Sequence, residues 1–414
     1  MKTSAIHGKI LELTRCLFLT EPTGITTYRE QGMVANGWVL TWWRTDQTRR
    51  VEKVLANQAM KSSARLQNGD IETFSREIGE VIKNLLFDPA LFRLLPGAPG
   101  AVFDQIVATD KVALAARIWN DYITACESKV TDWLTIHPLL GKVALATGVQ
   151  TFGSLSIIAT TDTSAWKALE KKFPGLVEFS PQLGTYLPAG YGFKNVAQVW
   201  LVAEHTGTAK GAQTRAAREM AVFLALAFAF AAPAKRGLFL KSGEEPDTRA
   251  LQFSATHVNF VPFGELCPPL LHKLSFDAAL MTEVAAWYGK RALATGLKAA
   301  RATTAAAFLH HAIIADDLEK FVHTFIVVDA LFGERGHVRT KIKEGILKVF
   351  SGDATWQQKT DMLFDLRSQI VHGGISDLDD WSEDFDYTTK FNATPFADAV
   401  TMATTALRVY LDLP

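Results

Sequence analysis

Leu366-Arg367-Ser368-Gln369-Ile370-Val371-His372-Gly373-Gly374 is the stretch on which the reading of this chain turns. It predicts the end of a helix running from Trp356 to Val371. The two glycines supply the stop, because glycine enters the left-handed backbone region at no steric cost. Upstream, Leu309 to Phe332 predicts one long helix. Its Ile313, Ile314, Leu318, Phe321, Phe325, Val328 and Leu331 make a wide apolar face, and Gly333 and Gly336 end it. Ile342 to Phe350 predicts a shorter helix closed by Ser351-Gly352-Asp353. Leu280, Val284, Trp287 and Tyr288 mark another, after which the helical pattern is unbroken. Downstream lies an acidic loop with Asp377, Asp379, Asp380, Glu383, Asp384 and Asp386. A last helix then starts with Thr394 as N-cap and Pro395 at its first position, and runs to Leu411. The expected product is a bundle of four or five helices spanning residues 300–414.

Residues 1–299 read as a mixed α+β region, so the fold class of the whole is α+β and mostly helical. A helix begins at Ile71 and continues through Phe74, Ile78, Val81, Ile82 and Leu85. Gly37 to Trp42 reads as a strand. Pro96-Gly97-Ala98-Pro99-Gly100 is a break and a candidate subdomain boundary. Residues 101 to about 150 read as helical again. Leu155–Ala159, Val199–Ala203, Leu238–Leu240 and Leu251–Phe260 read as strands. Pro174 to Gly192 reads as loop, and Arg215 to Ala232 as an Ala-rich helix.

Composition sets the outer bounds. The 414 residues carry 43 Lys+Arg and 43 Asp+Glu, so no global field draws in nucleic acid and any RNA contact must be a local basic patch. Cys16, Cys126 and Cys267 are far apart and odd in number, which supports neither a disulfide framework nor a zinc finger and suits a reducing cytosol. The N-terminus lacks the apolar core of a signal peptide. The longest apolar run, Met220 to Ala232, is too short to span a bilayer and predicts a buried helix rather than a membrane contact. No Walker loop, no GxGxxG after a strand, no HExxH and no GxSxG occurs.

The chemistry-bearing pair is Arg367 and His372. Arg, four residues, then His, late in a helical bundle, resembles the ribonuclease signature of the HEPN family, and the surroundings resemble its ApeA-like branch. There an apolar helix similar to Phe325-Ile326-Val327-Val328-Asp329-Ala330-Leu331-Phe332-Gly333 comes before a segment similar to Leu366–Gly373. The resemblance covers residues 300–414. It implies a homodimeric endoribonuclease that needs no metal or cofactor, with Arg367 and His372 catalytic and the two protomers pooling their pairs in one cleft. It further implies a bacterial antiphage effector whose N-terminal region responds to a phage-derived trigger or a regulatory protein, with RNA, tRNA among the candidates, as target. Ser368 stands where many active members carry Asn, Asp or His. That departure favours the alternative, a non-catalytic HEPN-like module binding RNA, nucleotide or a protein.

The residues suit the reaction on physical grounds. A histidine titrates near neutral pH and serves as acid or base. A planar guanidinium holds two phosphate oxygens at once as charge builds in the transition state. Five residues along a helix turn the chain by about 140°, so the two side chains do not share one face. The bland reading is that Arg and His near a helix C-terminus simply complement its dipole.

Arg335, Arg339, Lys341, Lys343 and Lys348 form a basic set that suits an RNA backbone or a solvated helix face. Lys290, Arg291, Lys298 and Arg301 make a second stripe, and Arg44, Arg49 and Arg50 beside Trp42 and Trp43 a third, where stacked bases and buried aromatics compete. His310, His311, Asp316 and Asp317 superficially suggest a metal, but only His310 and Asp317, seven apart, share a face, and two ligands are too few for a site. Asp329 interrupts an apolar helix, where a carboxylate needs a partner; the resemblance places it near the catalytic helix, orienting Arg367.

Overall fold

The computed structural model describes residues 3–18, 21–33, 39–86, 111–139, 141–145, 148–179, 198–231, 249–262, 266, 270–315, 317–375 and 377–414. The chain divides into two compact units, one of residues 1–133 and 205–214, the other of residues 134–204 and 215–414. The division therefore lies elsewhere than the expected boundary at 299/300, and the glycine- and proline-rich 96–100 lies outside the described residues. The α+β, mostly helical class holds.

In the first unit, α1 (Thr3–Arg15), α2 (Asp46–Met60), α3 (Ile71–Leu86) and α4 (Lys111–Ser128) pack around Leu13, Leu55, Phe74, Ile78, Ile118 and Tyr122. Strands β1 (Leu17–Phe18), β2 (Thr27–Met33) and β3 (Val39–Thr45) form an antiparallel sheet in the order β1-β3-β2. Thr45 closes the start of α2 with a capping box shared with Thr48. Trp42 is buried and donates its Nε1–H to Glu30 at 3.1 Å. Arg44 pairs with Glu30 at 2.7 Å and with the buried Glu52. Arg49 lies over the Tyr28 ring. Of the third basic stripe, then, two members are engaged inside the unit and its first tryptophan is core.

The second unit is built on a six-stranded sheet ordered β10-β9-β4-β8-β7-β6, in which β4 is Thr131–Leu139, β6 Gln150–Phe152, β7 Leu155–Ala159, β8 Val199–Gly207, β9 Arg249–Phe253 and β10 Val258–Pro262. Side chains alternate between its faces. Leu134, Ile136, Ile158, Trp200, Val202 and Phe253 point to one side, against Trp166 of α5 (Thr163–Lys172) and Phe173 and Leu176 beyond it. Leu139, Leu155, Ile157, Val199, Leu201 and Ala203 point to the other, against α6 (Ala209–Ala231) and the C-terminal helices. A parallel pair, β5 (Gly141–Leu145) with β11 (Leu270–Phe276), completes the strands among the described residues.

Strands β4 and β5 correct the expectation of helix between 101 and 150: the helix ends at Ser128. Seven consecutive β4 residues are buried, because both faces of the sheet are covered, and a strand covered on both sides shows no apolar alternation to read. The apolar run beginning at Met220 sits inside α6, its side chains packed into the core from Met220 to Ala229. Among the described residues no helix is long and apolar enough to cross a membrane.

From Ala278 onward the unit is helical: α7 (Ala278–Leu293), α8 (Leu297–Ile314), α9 (Asp317–Phe332), α10 (Val338–Val349), α11 (Ala354–Val371), α12 (Asp384–Phe391) and α13 (Pro395–Val409). Helix α9 is central, packing on α8, α10, α11 and α13. The expected single helix over Leu309–Phe332 is two, because Ala315 is extended (φ −82°, ψ 166°) and turns the chain between α8 and α9. The acidic loop likewise contains α12. The bundle core is continuous with the sheet core, so these helices are not a freestanding domain.

Gly345 explains how closely α10 approaches the end of α9. A Cβ there would lie 2.3 Å from Cγ and Cδ1 of Phe332. Alanine is the better helix former by about 1 kcal/mol, but overpacking against a ring base costs about 1–3 kcal/mol. Gly345→Ala is therefore expected to lower the free energy of unfolding in a urea titration; a gain in stability would show that the contact does not constrain the native packing.

Candidate functional site

Helix α11 ends in a Schellman motif. His372 is the C-cap, Gly373 follows in the left-handed region (φ 74°), its N–H donates to Ile370 O at 3.0 Å, and the Gly374 N–H donates to Gln369 O at 2.8 Å. The His372 N–H is bound to Ser368 O at 3.1 Å, which gives Ser368 a backbone part in holding the cap. The Gly-Gly stop thus fixes where the imidazole leaves the helix. The His372 ring is exposed.

Arg367 lies one turn earlier and is half-buried. It neighbours Leu363 and Leu366, which are fully buried, so it sits at the edge of the core-facing side. No ion pair or hydrogen bond engages its guanidinium among the described residues. Arg367 and His372 therefore diverge within one chain, as the rotation of about 140° requires. His372 instead continues the face carrying Asp361, Asp365 and Ser368, at spacings of four, seven and eleven.

Two of the basic residues on α10, Arg339 and Lys343, are engaged with that face. Arg339 donates Nη1 to Asp365 Oδ1 at 2.7 Å, Nη2 to Asp365 Oδ2 at 3.0 Å and Nε to Asp361 Oδ1 at 3.0 Å. Lys343 reaches the other Asp361 oxygen at 2.5 Å. These cations hold the Asp361 carboxyl below the usual carboxylate range, against the opposing effect of its partial burial, and the hydrogen bond to Asp365 is the main cause raising the Arg339 pKa. Lys341 pairs with Glu344 at 2.9 Å on another side of α10. Arg335 and Lys348 are exposed. Of the basic set expected at RNA, Arg335 and Lys348 form no ion pair among the described residues, and the other three do.

Asp329 does not meet Arg367 through any described hydrogen bond or ion pair. Its carboxylate folds over the end of its own helix: a Cβ on Gly333 would lie 2.0 Å from Asp329 Oδ1. Arg301 serves that same end, donating to Leu331 O at 3.2 Å and Gly333 O at 2.8 Å. The second basic stripe is structural throughout: Lys290 pairs with Asp412, Arg291 with Glu219, and Lys298 with the Leu413 carbonyl.

His310 is a core residue. It is 5% exposed and donates Nε2–H to the Leu266 carbonyl at 2.6 Å; burial pushes its pKa down to about 4. His311 is exposed and stacks with His323, ring centroids 5.5 Å apart. Asp316 and Cys267 lie outside the described residues. Among those described, no three His, Cys, Asp or Glu side chains are placed to hold a metal ion.

Sequence reasoning missed the carboxylates that face α10. Their signal was an i, i+4 pair of acids on one helix and an i, i+4 pair of cations, Arg339 and Lys343, on the helix before it. It also missed a buried network two turns before Arg367: Lys359 Nζ lies 2.9 Å from Asp398 Oδ2, to which Tyr387 donates its hydroxyl at 2.9 Å. No family model, curated protein or solved structure matches this chain.

Proposed function

We propose that this chain is a metal-independent endoribonuclease, acting as a homodimer in the cytoplasm as an effector of bacterial antiphage defence. The observation that carries the reading is the end of α11: an exposed histidine held at a Schellman cap, one turn from an arginine with no counter-ion among the described residues. The RNA 2′-oxygen forms its bond to phosphorus as a base takes the hydroxyl proton, and the P–O5′ bond breaks as an acid protonates the departing oxygen. His372 serves as base or acid, and Arg367 binds the phosphate oxygens as charge builds on them. One chain brings one histidine, and its arginine points elsewhere; a second copy supplies what each lacks. The N-terminal region would carry the response to a phage-derived trigger or regulatory protein.

The second reading, a HEPN-like module that binds RNA, nucleotide or a protein without cutting, is favoured by the divergence of the pair and by Ser368. One assay separates the two. Total RNA and tRNA are incubated with the purified chain in EDTA, wild type beside His372→Ala. Cleavage by the wild type alone is expected. Cleavage that survives in His372→Ala overturns the catalytic assignment, and RNA binding without cleavage by either protein supports the module.

A further inference from the structure

The charges that best suit a nucleic-acid strand on this bundle are already occupied. Arg339 uses all three of its nitrogens on α11: Nη1 and Nη2 take the two oxygens of Asp365 side-on, at 2.7 and 3.0 Å, and Nε takes Asp361 at 3.0 Å. A guanidinium meets a phosphodiester with this same side-on fork. Lys343 is taken by the second oxygen of Asp361 at 2.5 Å. Two cations thus face two carboxylates on partly exposed side chains, with Asp365 48% and Arg339 43% accessible. Asp361 and Asp365 belong to the face of α11 that ends in His372, and about 10 Å along the helix separates Asp365 from His372. A strand laid along that face from the imidazole meets the clamp.

From this geometry we infer that Asp361 and Asp365 are an internal phosphate mimic, which withholds Arg339 and Lys343 from RNA until the strand displaces them. The inference rests on the proposed reading of RNA as the ligand, but not on cleavage. It accounts for a basic helix in a chain of zero formal charge: the strip is present and neutralised in place. All four side chains are partly open to solvent, where charges are screened, so a polyanion that releases counterions can compete for the two cations.

The test is binding of a fluorescent single-stranded RNA by anisotropy, with every protein carrying His372→Ala so that cleavage does not enter. Asp361→Asn with Asp365→Asn is expected to tighten binding about tenfold or more at 0.1 M salt. It should also steepen the dependence of log K on log salt by about 1.4, because two more RNA phosphates are neutralised. Adding Arg339→Ala should remove most of the increase in affinity. Glu344→Gln is the charge-matched control: it frees Lys341, which lies about 200° round α10 from Arg339, and should change affinity about twofold at most. If the double variant fails to fold, Asp365→Asn alone, which leaves Asp361 in place, should move the slope by about 0.7 in the same direction. Unchanged affinity, tightening that survives Arg339→Ala, or equal tightening from Glu344→Gln overturns the inference. None of these outcomes bears on the cleavage assay, so the two readings fail separately.

Discussion

Arg367→Ala and His372→Ala proteins, each inert alone, are expected to recover about a quarter of wild-type RNA cleavage when mixed in equal amounts under subunit exchange, if the proposed homodimer cuts RNA. The expectation follows from the geometry of α11. Within one chain the two side chains leave the helix about 140° apart, one half-buried and the other exposed. In the proposed homodimer, each site draws its arginine from one chain and its histidine from the other. In a mixed dimer, one composite site receives both alanines and is dead; the other receives the intact arginine of one protomer and the intact histidine of its partner. Random exchange makes half of the dimers mixed, each with one working site of two, hence about a quarter overall. Each single substitution removes a group worth about 10²- to 10⁴-fold in rate, so the recovery is read against a nearly blank background. Gel assay after co-incubation, with analytical ultracentrifugation to confirm exchange, measures it. If the mixture stays inert while exchange is complete, the pair acts within one chain or does not act in catalysis.

Much of the bundle was legible because its ends are written locally. Thr394 and Pro395 announce α13, and Thr394 accepts from the Ala397 N–H at 3.3 Å as an N-cap should. Gly373 and Gly374 announce the end of α11, and Gly373 adopts the left-handed backbone that the stop requires. The break between α8 and α9 was not legible. No glycine or proline stands between Leu309 and Phe332, and the apolar face runs through Ala315 without a gap. Strand β4 was hidden for the opposite reason: burial on both sides removes the alternation that marks a strand. The site divides along the same line. The spacing of Arg367 and His372 is a local property and was readable. What faces them depends on how α10 lies across α11, so the carboxylates that engage Arg339 and Lys343 appear only once the helices are packed.

The largest stability effect is expected at a residue that sequence reasoning passed over. Lys359 sits on α11, two turns before Arg367, with its side chain 12% exposed and its ammonium 2.9 Å from Asp398, which is 8% exposed. The ammonium also lies 4.6 Å from the centroid of the Trp356 ring and 5.5 Å from that of Phe391. Tyr387 donates to the same Asp398 oxygen from α12, and burial beside that carboxylate drives its phenol pKa far upward, so the hydroxyl keeps its proton. Three helices, α11, α12 and α13, are joined at this point. A buried pair gains little over a well-packed apolar substitute, because both ions were taken out of water; breaking it from one side is another matter. Lys359→Ala leaves the Asp398 carboxyl buried and supported by one hydroxyl, and is expected to cost about 3–5 kcal/mol, a large part of the roughly 5–15 kcal/mol that holds a domain together. Lys359→Met with Asp398→Leu removes both charges and keeps the volume, and should recover most of that loss. Urea titrations of the three proteins decide it. A cost under about 1 kcal/mol for Lys359→Ala would mean that water reaches Asp398 and that the network does not hold α11 in place. The expected cost would make this ion pair the anchor of the helix whose end presents His372, and would place the stability of the fold and the positioning of the imidazole on the same three side chains.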